Sequence, residues 1–347
     1  MIYAAPDCYS YGVSDEYRNN TNLWAYYTYS DSVTANVSSP NVKSVFWASY
    51  DFMYGHVDAL QKTGNPYYKG TTAYCSIDTH TYIHEMGHVF GLEDYYDYSQ
   101  QYRPAGGFSM QDYNVGAHDP FSVMSFGWAK PFIPTSSGRI QIGLFQKTKE
   151  LILLTPSWNS HDSVFDEYLL LELYSPNGLN SFDSNHVYAP FGATYPQGPS
   201  TIGIRLWHVD ARLTYRNFTT YTTDLFTDAT SHFNSMTAFS NTFIKKSYNE
   251  VHVTPLARTD TSYALYNLLT LVRNNKNASF KNKTLFTSND LFYAGDSFSM
   301  DEFGGQFAYK AIHSSSINVL DSGIELGWTF TVESIKNGQA IINVTKL

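Results

Sequence analysis

The chain has 347 residues, with Lys+Arg 22 against Asp+Glu 31 and a formal net charge of −9. An acidic chain without basic runs excludes phosphate-neutralising nucleic-acid binding and polybasic membrane binding. Aromatic residues make up 17%, which excludes a disordered chain, and no apolar run approaches the ~18 residues of a membrane helix. At roughly 150 residues per domain, the length predicts two domains. The opening MIYAAPDCYSYG has neither a basic n-region nor an apolar h-region, so no signal peptide is read there. The protein is either cytosolic or a chain that begins after an export signal, and its Tyr-, Asn-, Ser- and Thr-rich composition leans toward the extracellular side. Cys8 and Cys75 leave a disulfide and two free thiols equally open. Asn36, Asn217, Asn277 and Asn343 fit the glycosylation pattern.

Residues 22–30 and 42–50 are short, aromatic and β-branched, and read as strands. A short helix is expected over 52–63, stopped by Gly64-Asn65-Pro66. Over 78–91, Tyr82, Ile83, Met86, Val89 and Phe90 recur at helical spacing, with Asp78 at the N-cap and Gly91 at the stop. This apolar stripe is expected to face the core. Residues 131–138 read as a linker. Beyond about 135, RIQIGLF, LILLTP, EYLLLELY, IGIRLWHVD, YNEVHVTPL, GWTFTVESI and QAIINV read as strands of a sandwich-like β domain. Residues 215–248 and 273–290 read as long polar loops.

The chemistry is concentrated in His84-Glu-Met-Gly-His88. Taking Tyr82 as zero, the two histidines point at about 200° and 240° on a helix, and Met86 at about 40°. Two imidazoles one turn apart can grip one zinc at ~2.0–2.1 Å. Glu85, at about 300°, lies beside that axis, where a carboxylate can take a proton from the attacking water. Gly91 lets the chain turn sharply, so that Asp94 can return toward the same ion. Asp94 is the expected third ligand. Glu167 or Glu172 is the alternative, and Asp97 lies near the edge of reach. On a strand, 167 and 172 fall on opposite faces.

HTYIHEMGHVFGLEDYYDYS, followed by GGFSMQDYNVGAHDPFSVMSFGWAKP, resembles the immune-inhibitor-A-type secreted metallopeptidases, which are metzincin-like zinc proteases. The likeness is dense over residues 78–130, intermittent through 166–212 and faint toward the C-terminus. It implies a secreted zinc endopeptidase acting on protein or peptide substrates. Its expected fold is an α/β metzincin-like domain over 1–135, with an active-site helix, and then a β-rich, sandwich-like domain over 136–347. By that resemblance His84 and His88 hold one catalytic Zn2+, Asp94 is the third ligand and Glu85 is the general base. Met110 stands in the region of the methionine turn, where Gln111 replaces the family's second methionine. Tyr113 either hydrogen-bonds the oxyanion or is a core tyrosine. The resemblance also implies a longer N-terminal stretch than the 83 residues before His84.

Asp97, Asp112, Asn114 and Asp119 supply hard oxygens for a Ca2+ site, or are solvated loop residues. His208 reads as a packed strand histidine, and His80 as either a support to the metal site or an exposed residue. The rival to the peptidase is a catalytically impaired, zinc-holding surface protein that binds protein or glycan partners through its aromatic β domain.

Overall fold

The computed structural model describes residues 26–29, 44–48, 80–98, 101–113, 116–156, 163–185, 197–216, 223–226, 236–237, 239–242 and 266–347. The expected 52–63 helix, the Asp78 cap, both cysteines, Asn114 and the YNEVHVTPL strand lie outside them. The architecture is mixed α/β, with several sheets and few helices. The chain divides into two compact units, Met1–Glu93 with His186–Pro196, and Asp94–Asn185 with Gln197–Leu347.

In the first unit, β1 (Tyr26–Tyr29) and β2 (Ser44–Trp47) form an antiparallel pair. Helix α1 (His80–Val89) lies against this pair. The Tyr82 ring meets Phe46 edge-on at 6.1 Å, its hydroxyl donates to the Ala48 carbonyl at 3.4 Å, and the Tyr27 ring lies 6.3 Å from His88. This reverses the expected orientation of the helix. Ile83, Met86 and Phe90 are exposed, whereas His80 and Glu85 are buried. The aromatic pair of strands packs on the Tyr82 and His88 sides, so the polar face is covered and most of the apolar stripe is left outward.

The second unit is built around a five-stranded sheet. Helix α2 (Pro120–Ser125) precedes β3 (Pro131–Phe132) and β4 (Gly138–Gly143). Then come β5 (Leu151–Leu154), β6 (Glu167–Tyr174), β7 (Gly203–Asp210), β8 (Leu213–Arg216), β9 (Thr223–Phe226), β10 (Met236–Thr237) and β11 (Leu269–Val272). The chain ends with β12 (Ser297–Phe298), β13 (Trp328–Lys336) and β14 (Gln339–Lys346). The large sheet runs β11-β7-β6-β5-β3, a four-stranded sheet runs β12-β13-β14-β4, and β10-β8-β9 form a small third. Residues 131–138 carry the edge strand β3, which pairs parallel with β5, and both flanks of this stretch lie in the second unit.

The two faces of β6 and β7 explain the layering. All eight residues of each strand are buried, so neither face meets water. Side chains alternate between faces. Leu169, Leu171, Leu173, Ile204 and Leu206 pack on Trp328, Phe330, Val332 and Ile342 of the four-stranded sheet. Tyr168, Leu170, Trp207 and Val209 pack on Tyr95, Phe108, Phe121 and Met124. The loop layer that follows Asp94 is therefore seated directly on a rigid sheet.

Candidate metal centre

Helix α1 ends in a turn that the sequence encodes at Gly91, whose φ of 94° is left-handed and favours glycine. Leu92 N–H donates to the Gly87 carbonyl at 3.0 Å and Gly91 N–H to the His88 carbonyl at 2.9 Å, the pairing of a Schellman cap. The reversal brings the Leu92 carbonyl over the helix, where His88 Nδ1 donates to it at 2.8 Å. With its proton on Nδ1, His88 presents a bare Nε2. A backbone carbonyl on the far nitrogen is the support that metal-binding histidines commonly have.

His88 Nε2 lies 3.2 Å from His84 Nε2. Two nitrogens bound tetrahedrally to one zinc at ~2.0–2.1 Å would be ~3.3–3.4 Å apart. Either an N–H donated by His84 or a shared ion satisfies such a pair. Asp94 completes the group, with ligand atoms of His84, His88 and Asp94 all within 4.8 Å of one another. Two half-buried imidazoles and a buried carboxylate are donors of the kind and number that a site for Zn2+ requires.

Asp94 sits on an anchored segment. Tyr95 N–H donates to the Gln111 carbonyl at 2.7 Å, and Asn241 Nδ2 donates to the Tyr95 carbonyl at 2.8 Å. Tyr98 donates its hydroxyl to Asp94 Oδ2 at 2.5 Å. Glu85, 8% exposed, lies on α1 between the two histidines in sequence. The Met110–Gln111 turn is buried, and through the Gln111 carbonyl it meets the segment that begins at Asp94. The Tyr113 ring packs at a tilt against Tyr96 at 5.5 Å, and Tyr96 against Tyr98 at 5.3 Å. Burial raises the Tyr113 pKa, against the nearby Arg103 guanidinium, so its hydroxyl keeps its proton at neutral pH and can donate.

The carboxylates considered for calcium have other tasks. Asp97 Oδ2 accepts Gln101 and Tyr102 N–H, and Asp112 Oδ2 accepts Gly107 N–H. Asp119 caps α2 through Ser122 N–H and also receives the Ser109 hydroxyl.

Glu167 and Glu172 do lie on opposite faces of β6, and each has a partner on β7. Glu172 faces Arg205 across the strand pair. Its Oε1 lies 2.7 Å from Arg205 Nε in a buried ion pair and accepts the Trp207 Nε1 hydrogen bond at 2.8 Å. Glu167 accepts His208 Nε2 at 2.8 Å, and its oxygens also take Asp321 N–H at 2.6 Å and Ser322 N–H at 2.8 Å. Glu167, His208 and Asp321 form a second group with metal-like spacing. Burial opposes charge on His208, but the Glu167 hydrogen bond together with the charges of Asp321, Glu167 and Asp210 outweighs it and raises the pKa. The Glu167 carboxylate of this group is already occupied by the His208 ring and by the N–H groups of Asp321 and Ser322.

Burial pushes the Asp321 carboxyl from 3.8 up to about 7. The folded state then holds a proton that the unfolded chain has released, so the stability is present at low pH and is lost as pH rises through about 7. The raised His208 pKa acts in the same direction. Thermal melts should show a midpoint falling from pH 5.5 to pH 8, and Asp321→Asn, which mimics the protonated carboxyl, should flatten that fall. Identical slopes in parent and variant would contradict the assignment.

No family model matches this chain, and comparison with curated proteins gives no match either. Among the described residues, no helix is long and apolar enough to cross a membrane.

Proposed function

We propose that the protein is a secreted zinc-dependent endopeptidase of the immune-inhibitor-A type, with a metzincin-like catalytic domain. The observation that carries the reading is the 3.2 Å approach of His84 Nε2 and His88 Nε2, with the His88 ring held by the Leu92 carbonyl and the Asp94 carboxylate beside them. His84, His88 and Asp94 would hold the ion. Zinc, when bound, polarises a peptide carbonyl and acidifies water. The protein's own part is proton movement and positioning. Glu85 takes a proton from the attacking water and returns it to the leaving amine. The capped end of α1 keeps His88 oriented. By the resemblance, Tyr113 would be the donor to the developing oxyanion.

Casein zymography with and without a chelator tests the reading. Clearing that a chelator abolishes and added zinc restores is expected. Zinc binding without any clearing would favour a zinc-holding surface protein that binds its partners through the β-rich part of the chain.

A further inference from the structure

We infer that Tyr98 is the positioning residue of the metal centre, fixing the Asp94 carboxylate through its hydroxyl; this rests on the zinc reading above. The contact is an O–H donated to a carboxylate oxygen at 2.5 Å, within the range of charge-assisted hydrogen bonds, which are roughly twice as strong as neutral ones. It spans four residues of a non-helical segment, so it closes a small loop directly over the ligand. The loop cannot drift, because Tyr95 is tied to Gln111 and Asn241 and Asp97 takes the N–H groups of Gln101 and Tyr102.

A carboxylate that receives a hydroxyl on one oxygen is steered toward binding a metal through the other. Asp94 is a short side chain just beyond the end of a helix, with no regular secondary structure of its own. Its χ angles are set by whatever grips the carboxylate, and Tyr98 grips it. The ring is also positioned from behind by Tyr96, at 5.3 Å and 44°. Tyr98 thus plays for Asp94 the part that the Leu92 carbonyl plays for His88. His88 and Asp94 then each have a partner on the far side of the metal-facing atom.

The test is a zinc competition against a chromophoric chelator, run on the full chain, with Tyr98→Phe, Tyr96→Phe and the parent side by side. Tyr98→Phe keeps the ring and its stacking and loses only the hydroxyl. A drop of about 10–100-fold in zinc affinity is expected, the usual cost of losing a group that orients a ligand. Cobalt-substituted Tyr98→Phe should also show displaced visible bands, since the carboxylate donor is altered, whereas a purely structural hydroxyl would leave the spectrum alone. Tyr96→Phe should match the parent in both readouts. Parental affinity and spectrum in Tyr98→Phe would overturn this inference and leave the zinc reading standing. Equal losses in both variants would assign the effect to the aromatic stack and overturn it too. A parent that binds no zinc would overturn the zinc reading and this inference with it.

Discussion

Glu85→Ala is expected to lower peptide hydrolysis by about 100- to 10,000-fold, the span that a positioned general base contributes, while the zinc content stays that of the parent. The separation follows from helix geometry. His84 and His88 stand one turn apart and converge through their Nε2 atoms, whereas Glu85 is rotated by about 60–100° from them on the same helix. On the proposed reading its carboxylate acts as the base without being needed to hold the ion. The check is a casein or peptide assay paired with metal analysis of the same preparation. A variant that keeps parental activity would require another base. A variant that loses both activity and zinc would make Glu85 a ligand, contrary to the assignment.

The second large effect is on stability. Glu172→Ala should destabilise the fold by about 3–5 kcal/mol, because it leaves a buried guanidinium without its counter-charge. Arg205 is 2% exposed and Glu172 1%, and neither can turn to solvent from the middle of a strand pair covered on both faces. The Tyr174 ring, 4.5 Å from the Arg205 guanidinium, softens the loss but does not replace a carboxylate. Trp207 Nε1 also loses its acceptor. The double replacement Glu172→Leu with Arg205→Met should recover much of the loss, since an apolar pair of similar volume avoids the desolvation cost. Denaturant unfolding of the three proteins measures this. A Glu172→Ala protein as stable as the parent, but with weakened zinc binding, would instead make Glu172 a metal ligand.

Much of this was legible from the sequence, and the limits are physical. The helix at 80–89 and its left-handed stop at Gly91 follow from periodicity and from the one residue type that adopts such a φ freely. The strands EYLLLELY, IGIRLWHVD, GWTFTVESI and QAIINV are apolar enough to declare themselves, and simple parity places Glu167 and Glu172 on opposite faces. The buried face of α1 was not legible. Periodicity gives the stripe of Ile83, Met86 and Phe90, but which side is covered depends on where an aromatic pair of strands docks. Asp321 was equally hidden, because it reaches Glu167 from 154 residues away out of a loop without regular pattern. Tyr98 carried no signal either, since in a Tyr-rich chain one tyrosine four residues beyond an aspartate looks like any other. Arg273 shows the same limit. It stands at the head of an expected polar loop, yet it is buried and organises 284–290 through the Thr284 and Leu285 carbonyls and Asp290.

His84, His88 and Asp94 are proposed to hold one zinc ion. Metal analysis of the full chain, purified with zinc supplied during expression, tests it most directly when His84→Ala and Asp94→Ala are run alongside. About one zinc per chain is expected for the parent, as for a catalytic site of three protein ligands, with sharply weaker retention against a chelator in both variants. A parent without zinc, or variants that retain it as the parent does, would contradict the account.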